Sequence, residues 1–187
     1  LLIPNEYYLS IAVLTGFNAL LAISLNLLLG LGGQVSLGHA AFYGLGAYGV
    51  GILAVKAGWP PWLCLPAALA LTAAVAYAIG LPTLRLKGHY LALATLGFVI
   101  IVQILLVEIP SLTGGPSGLI GIPALQLGAL IIRGDRVFAI LTWVLIFIIE
   151  AGLGNLRASR TGRALLAINA NEVAASSLGV DTGREKR

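Results

Sequence analysis

Three observations predict an all-α membrane protein, a polytopic helical bundle with about five transmembrane spans in 187 residues. Hydrophobic residues make up 59% of the chain and charged ones 10%, where a soluble domain carries about 25% charge. The mean hydropathy is +0.99. From Tyr7 to Leu84 the only charge is Lys56, so that stretch has nothing to hold it in water. A soluble globule is excluded, and so is a disordered chain, whose signature is low hydrophobicity with high charge. Apolar runs in lipid have to be helices, because only a helix satisfies its own backbone hydrogen bonds there.

Five runs reach the length that a bilayer core requires, about 20 residues each: 7–29, 38–57, 62–84, 90–109 and 137–154. In the first, Thr15, Asn18, Ala22 and Asn26 share one helical face. In the second, Ala40, Gly44, Ala47, Gly51, Ala54 and Gly58 alternate spacings of four and three, keeping one face free of bulk. Such a face lets helix backbones approach closely, so Ala40, Gly44, Ala47 and Gly51 are read as packing positions. The third run holds Cys64, the single cysteine, which cannot form an internal disulfide and reads as a small core residue. In the fourth, Gly88, Ala92, Thr95, Val99 and Gln103 line up as the polar groups do in the first. Polar groups at such depth face the bundle interior or a wet cavity. Asn18, Asn26, Thr95 and Gln103 are therefore candidates for a solute path, and interhelical hydrogen bonding is an equally good account of them.

A longer loop, 110–136, separates the fourth and fifth runs. It holds six glycines and three prolines, which argue for a shaped loop with the apolar run 124–132 lying along the membrane interface. After Gly154 the chain turns polar. Asn171 is a good N-cap, Glu172 suits the positive end of a helix, and Gly179 is a good C′ stop, so 172–178 is expected to be a short capped helix.

Charge clusters set the orientation. If the 85–87 loop and the tail are cytoplasmic, that side holds eight Lys and Arg against three outside, in keeping with the positive-inside bias. The first run then starts outside. With no methionine and Leu1 first, the sequence is expected to be a piece of a longer chain, with another span before it.

No phosphate loop of the form GxxxxGK[ST] occurs, nor HExxH or GxSxG, which speaks against nucleotide binding and hydrolysis by this polypeptide. Gly44-Leu-Gly46-Ala-Tyr-Gly49 matches the dinucleotide pattern GxGxxG, but it sits in a membrane run, and the next acid is Glu108, so the nucleotide reading fails. His39 and His89 stand at run starts without a second ligand at metal spacing and read as interfacial anchors. No cofactor, metal or nucleic acid is implied.

Four stretches, SLNLLLGLGGQVSLGHAAFYGLGAY (24–48), RLKGHYLALATLGF (85–98), LTGGPSGLIGIP (112–123) and SRTGRALLAINANEVAASSLGV (159–180), occur in the order found in one family. The chain resembles the inner-membrane permease subunits of branched-chain amino acid ABC importers, of the LivM type. The resemblance implies a transmembrane permease domain over 1–154, a cytoplasmic coupling loop of the EAA type over 155–187, and further spans beyond 187. In the family's coupling loop the residues that engage the ATPase correspond here to Glu172, Ala174, Ala175 and Gly179. Val173 departs from the literal EAA string, and Asn169 and Asn171 stand where relatives often carry charge.

The partners implied are a second permease subunit of the LivH type, two cytoplasmic ATPase subunits and an extracytoplasmic solute-binding protein, all working at the bilayer by alternating access. The alternatives are an ion-coupled secondary transporter, which broken spans and midplane carboxylates would favour and to which only the Gly30–Gly38 break points, and a structural membrane subunit that transports nothing.

Overall fold

The computed structural model describes residues 6–33, 36–83, 86, 88–127, 130–132, 134–171 and 175. They form helices α1 (Glu6–Asn26, extended by a π-turn, Leu27–Leu31), α2 (His39–Val55), α3 (Pro61–Thr83), α4 (His89–Glu108), the short α5 (Pro110–Thr113), α6 (Asp135–Ala158) and α7 (Arg160–Ala170). One two-stranded ribbon, β1 (Leu125–Leu127) and β2 (Leu130–Ile132), interrupts them. The polytopic all-α reading holds. Among the described residues, four helices are long and apolar enough to cross a membrane: α1 with its π-turn, α3, α4 and α6. α2 has 17 residues, about 25 Å at about 1.5 Å per residue, the lower end of what a span needs.

The chain divides into two compact units. One is built on α1, the π-turn, α6 and α7. Its core stripe lies on α6, where Ala139, Thr142, Ile146 and Leu153 recur at helical spacing and are buried. Gly16, the one buried residue of α1, faces that stripe. A Cβ there would stand 2.5 Å from Thr142 Cγ2 and 3.8 Å from Ile146 Cδ1, so the missing side chain sets the helix separation. Ser10 hydrogen-bonds the Asp135 carboxylate at the start of α6. Beyond the other end of both helices, Asn169 of α7 reaches Gly30 in the π-turn. The two contacts make α1 and α6 parallel.

The second unit holds α2 to α5 and the ribbon. Its most extensive contact joins α2 and α3. On α3 the facing residues are Cys64, Ala68 and Thr72, small groups four apart. Cys64 is fully buried, and its thiol lies 3.6 Å from the Trp59 carbonyl. Gly49 presents bare backbone to Ala68, whose Cβ lies 3.1 Å from where a Gly49 side chain would begin. α4 packs on α2 through a stripe in which Leu91, Thr95 and Val102 are buried.

Within the apolar run 124–132, the described residues 125–127 and 130–132 form the ribbon. Leu125 pairs with Ile132, Gln126 with Ile131 and Leu127 with Leu130. Antiparallel pairing meets the backbone hydrogen-bonding need that an extended apolar segment would otherwise leave open. In the tail, α6 runs on to Ala158 and a second helix, α7, follows it; of the expected helix 172–178 only Ala175 lies among the described residues.

Candidate translocation groove and coupling corner

Within the second unit, Gly44 on α2 has no side chain to fill the space opposite Leu106 of α4, whose Cδ1 lies 3.5 Å from the missing Cβ position. A groove of about 290 Å³ opens there, lined by Ala40, Ala41, Gly44, Tyr48, Val99, Val102, Gln103, Leu106 and Val107. The lining is apolar apart from the Tyr48 hydroxyl and the Gln103 carboxamide, an arrangement suited to a small solute with an aliphatic part and a few polar groups. Three residues singled out in the sequence, Ala40, Gly44 and Gln103, come together in it. Val99, on the same α4 face as Gln103, joins them.

One end of α2 meets a rigid turn built from the 112–123 stretch. Thr113, 3% exposed, donates its hydroxyl to the Ile109 carbonyl at 2.8 Å and accepts from the Gly115 N–H at 3.1 Å. Gly114 holds φ +79°, and a side chain there would collide with the Gly118 carbonyl. Leu119 of this turn lies 3.1 Å from the Cβ position of Gly51. Gly51 is thus buried against the loop rather than against another span. Ile120 and Ile122, just beyond, are 81% and 54% exposed.

Thr95 and the two asparagines of α1 occupy other environments. Thr95 is 8% exposed and already engaged: it accepts from the Leu37 N–H at 3.0 Å and donates to the Ala92 carbonyl at 3.0 Å. It anchors the entry into α2. Asn18 is exposed and returns its amide to the Leu14 carbonyl of its own helix at 2.9 Å. Asn26 is exposed at the start of the π-turn, with Oδ1 2.9 Å from where a Gly30 side chain would begin. Ala47 is exposed on α2. Among the glycines of that helix, the tightest approach to a neighbouring helix is at Gly49, on a face that the sequence pattern did not single out for packing.

The first unit carries the corner between α6 and α7. α6 stops at Ser159, whose backbone turns extended (φ −74°, ψ 169°) and whose Oγ accepts from the Gly162 N–H at 3.1 Å, the geometry of an N-cap. The same hydroxyl donates to the Leu156 carbonyl at 2.6 Å, so one side chain ends α6 and starts α7. Gly162 packs directly onto the Leu156 carbonyl. Arg163 donates to the Ala158 carbonyl at 2.5 Å, a cation on the C-terminal carbonyls that also suits the helix dipole. Arg157, Arg160 and Arg163 are all exposed.

α7 ends at Asn171, whose backbone is extended (φ −162°, ψ 107°) and whose carbonyl accepts from the Ala175 N–H at 2.9 Å. Glu172, Ala174 and Gly179 lie outside the described residues. Ala175 is described and is 2% exposed, so its side chain packs within this chain.

α7 itself was missed in the sequence. A Ser followed by a helix with apolar positions at Leu165 and Ile168, three apart, was the available signal.

Comparison with known proteins agrees with this architecture. A family model described as the permease component of the branched-chain amino acid transport system matches residues 7–186. The high-affinity branched-chain amino acid transport system permease protein LivM of Escherichia coli K12 is 45% identical over 113 residues, 60% of this chain and 27% of the relative. Its counterpart from Salmonella typhimurium LT2 is 44% identical over the same shares. The matched stretch thus spans about a quarter of the length of these curated relatives. No solved structure matches the chain. With a family model covering nearly its whole length and several apolar helices of spanning length, this chain belongs to the family of branched-chain amino acid transport permease components.

Proposed function

We propose that this chain is part of the permease subunit of an ATP-binding-cassette importer that moves branched-chain amino acids, or related small solutes, across the cytoplasmic membrane by alternating access. The observation that carries the reading is the family match over residues 7–186. The partners would be a second permease subunit, two cytoplasmic ATPase subunits and an extracytoplasmic solute-binding protein, with 155–187 as the coupling loop. The apolar groove with its Tyr48 and Gln103 groups is compatible with a zwitterion bearing an aliphatic side chain.

The parallel pair supports a topology. For α1 and α6 to run the same way, an odd number of crossings has to separate them. α3 and α4 supply two, so α2, short as it is, supplies the third. The tail then leaves the membrane on the side where α1 ends, and the charge count supports the cytoplasm as that side. The 112–123 turn falls outside, where its exposed isoleucines offer a surface to a solute-binding protein. Cysteine at Ser117, an exposed residue, is expected to react with a membrane-impermeant thiol reagent added from outside. Labelling from the cytoplasmic side alone would overturn the topology.

The function is tested by uptake of radiolabelled leucine into proteoliposomes carrying the full-length permease and its partner subunits. Uptake is expected to require ATP inside and binding protein outside, and to survive ionophores. Uptake driven by an ion gradient without ATP would make the protein a secondary transporter instead. A cysteine at Asn171, exposed at the head of the coupling segment, is expected to cross-link to the ATPase subunit. Failure to cross-link in a complex that transports would move the docking point elsewhere.

A further inference from the structure

We propose that Asn169 is a positioning residue that latches the coupling tail to the π-turn of α1, so that movement of the tail is delivered to the first span at that turn. The inference rests on the importer reading above. Asn169 Nδ2 donates to the Gly30 carbonyl at 2.9 Å, across 139 residues of sequence. Its Oδ1 sits against Gly33, in the space where a side chain would begin. Both ends of one carboxamide thus address a single turn. A neutral amide suits this place, because a carboxylate would set oxygen against the Gly30 carbonyl and an aliphatic side chain would take the donor away.

The turn is suited to receive a load. A π-helix carries wider, less regular hydrogen bonding than an α-helix and recurs at functional sites. Here it is followed by Gly33 at φ +60°, where glycine is favoured. Leu31 of the turn and Ile168 of α7 are each 4% exposed, so the latch has apolar support on both sides. At its other end α7 is locked to α6 by Ser159 and Gly162, which makes it a short lever between the coupling segment and α1.

The test uses the complete importer in proteoliposomes, with solute taken up per ATP hydrolysed as the readout. Asn169→Ala is expected to lower that ratio about three- to tenfold, the change that loss of one ordinary hydrogen bond corresponds to, while the rate of ATP hydrolysis persists. Gly33→Ala, whose new methyl meets Asn169 Oδ1, is expected to do the same. The double variant should be no worse than the poorer single, because both act on one contact. An unchanged ratio in Asn169→Ala, or losses that simply multiply, would overturn the coupling role.

Amide hydrogen exchange over residues 27–33 of the purified full-length protein judges the latch separately. Exchange is expected to quicken in Asn169→Ala, and unchanged exchange would overturn the latch itself. Wild-type uptake that needs no ATP would overturn the importer reading and the coupling role with it.

Discussion

Gly162→Ala is expected to cost the purified protein stability of order 1–3 kcal/mol, the range for forcing a group into filled space, and Gly162→Val more. The Cβ of either residue would fall on the Leu156 carbonyl, 2.8 Å from its carbon and 2.9 Å from Arg157 Cα. These are backbone atoms of the last turn of α6, so relief requires α7 to swing away from α6 rather than a side chain to turn aside. Swinging α7 breaks the Ser159 cap and the Asn169 contact with Gly30, so ATP-driven uptake should fall with stability. Ser159→Ala separates the two effects: it removes the cap alone and is expected to cost about 1 kcal/mol. Thermal unfolding in detergent and uptake by the reconstituted complex are the measurements. A Gly162→Ala protein that unfolds at the wild-type temperature would mean that the corner relaxes freely.

Apolar length and the near absence of charge carried the helices of the membrane region, because a span has to be long, apolar and helical whatever it packs against. Rotation of those helices was less legible. The small-residue stripe through Gly44 and Gly51 was visible, but Gly44 borders a groove and Gly51 touches a loop, while the closest approach of another helix to an α2 glycine is that of Ala68 to Gly49. A glycine-rich helix such as α2 offers small residues on more than one face, and spacing alone does not say which face another helix takes. The complementary signal lay on α3, where Cys64, Ala68 and Thr72 repeat every four residues.

Elements held by capping and pairing rather than by lipid were the hardest to foresee. α7 depends on a serine that closes one helix and opens the next, and the ribbon depends on register between two triplets. Polar residues were the least transparent: Thr95 and Asn18 both satisfy themselves on local backbone, an option that hydroxyl and amide side chains have in any helix.

Gly49→Leu and Gly44→Leu, five residues apart on one helix, are expected to fail in different ways. At Gly49 the added side chain begins 3.1 Å from Ala68 Cβ and 3.6 Å from its Cα, so the obstruction is an alanine methyl and the α3 backbone behind it, neither of which can rotate clear. α2 and α3 would have to separate along the contact that organises the second unit, at a cost of about 1–3 kcal/mol or more. Even Gly49→Ala places a Cβ closer than an ordinary contact and should lower the thermal midpoint measurably. At Gly44 the nearest atom is the flexible tip of Leu106 at 3.5 Å, an ordinary separation, and open groove lies alongside. Gly44→Ala should therefore unfold like the wild type. Gly44→Leu should keep most of the stability while filling the groove beside Gln103, and so reduce uptake without preventing assembly. Unfolding temperature and leucine uptake measured on the same preparations separate the outcomes. If Gly44→Leu transports at the wild-type rate, the solute does not pass through this groove. If instead it unfolds as readily as Gly49→Leu, the α2–α4 contact is tighter than the geometry allows and the groove closes in the membrane.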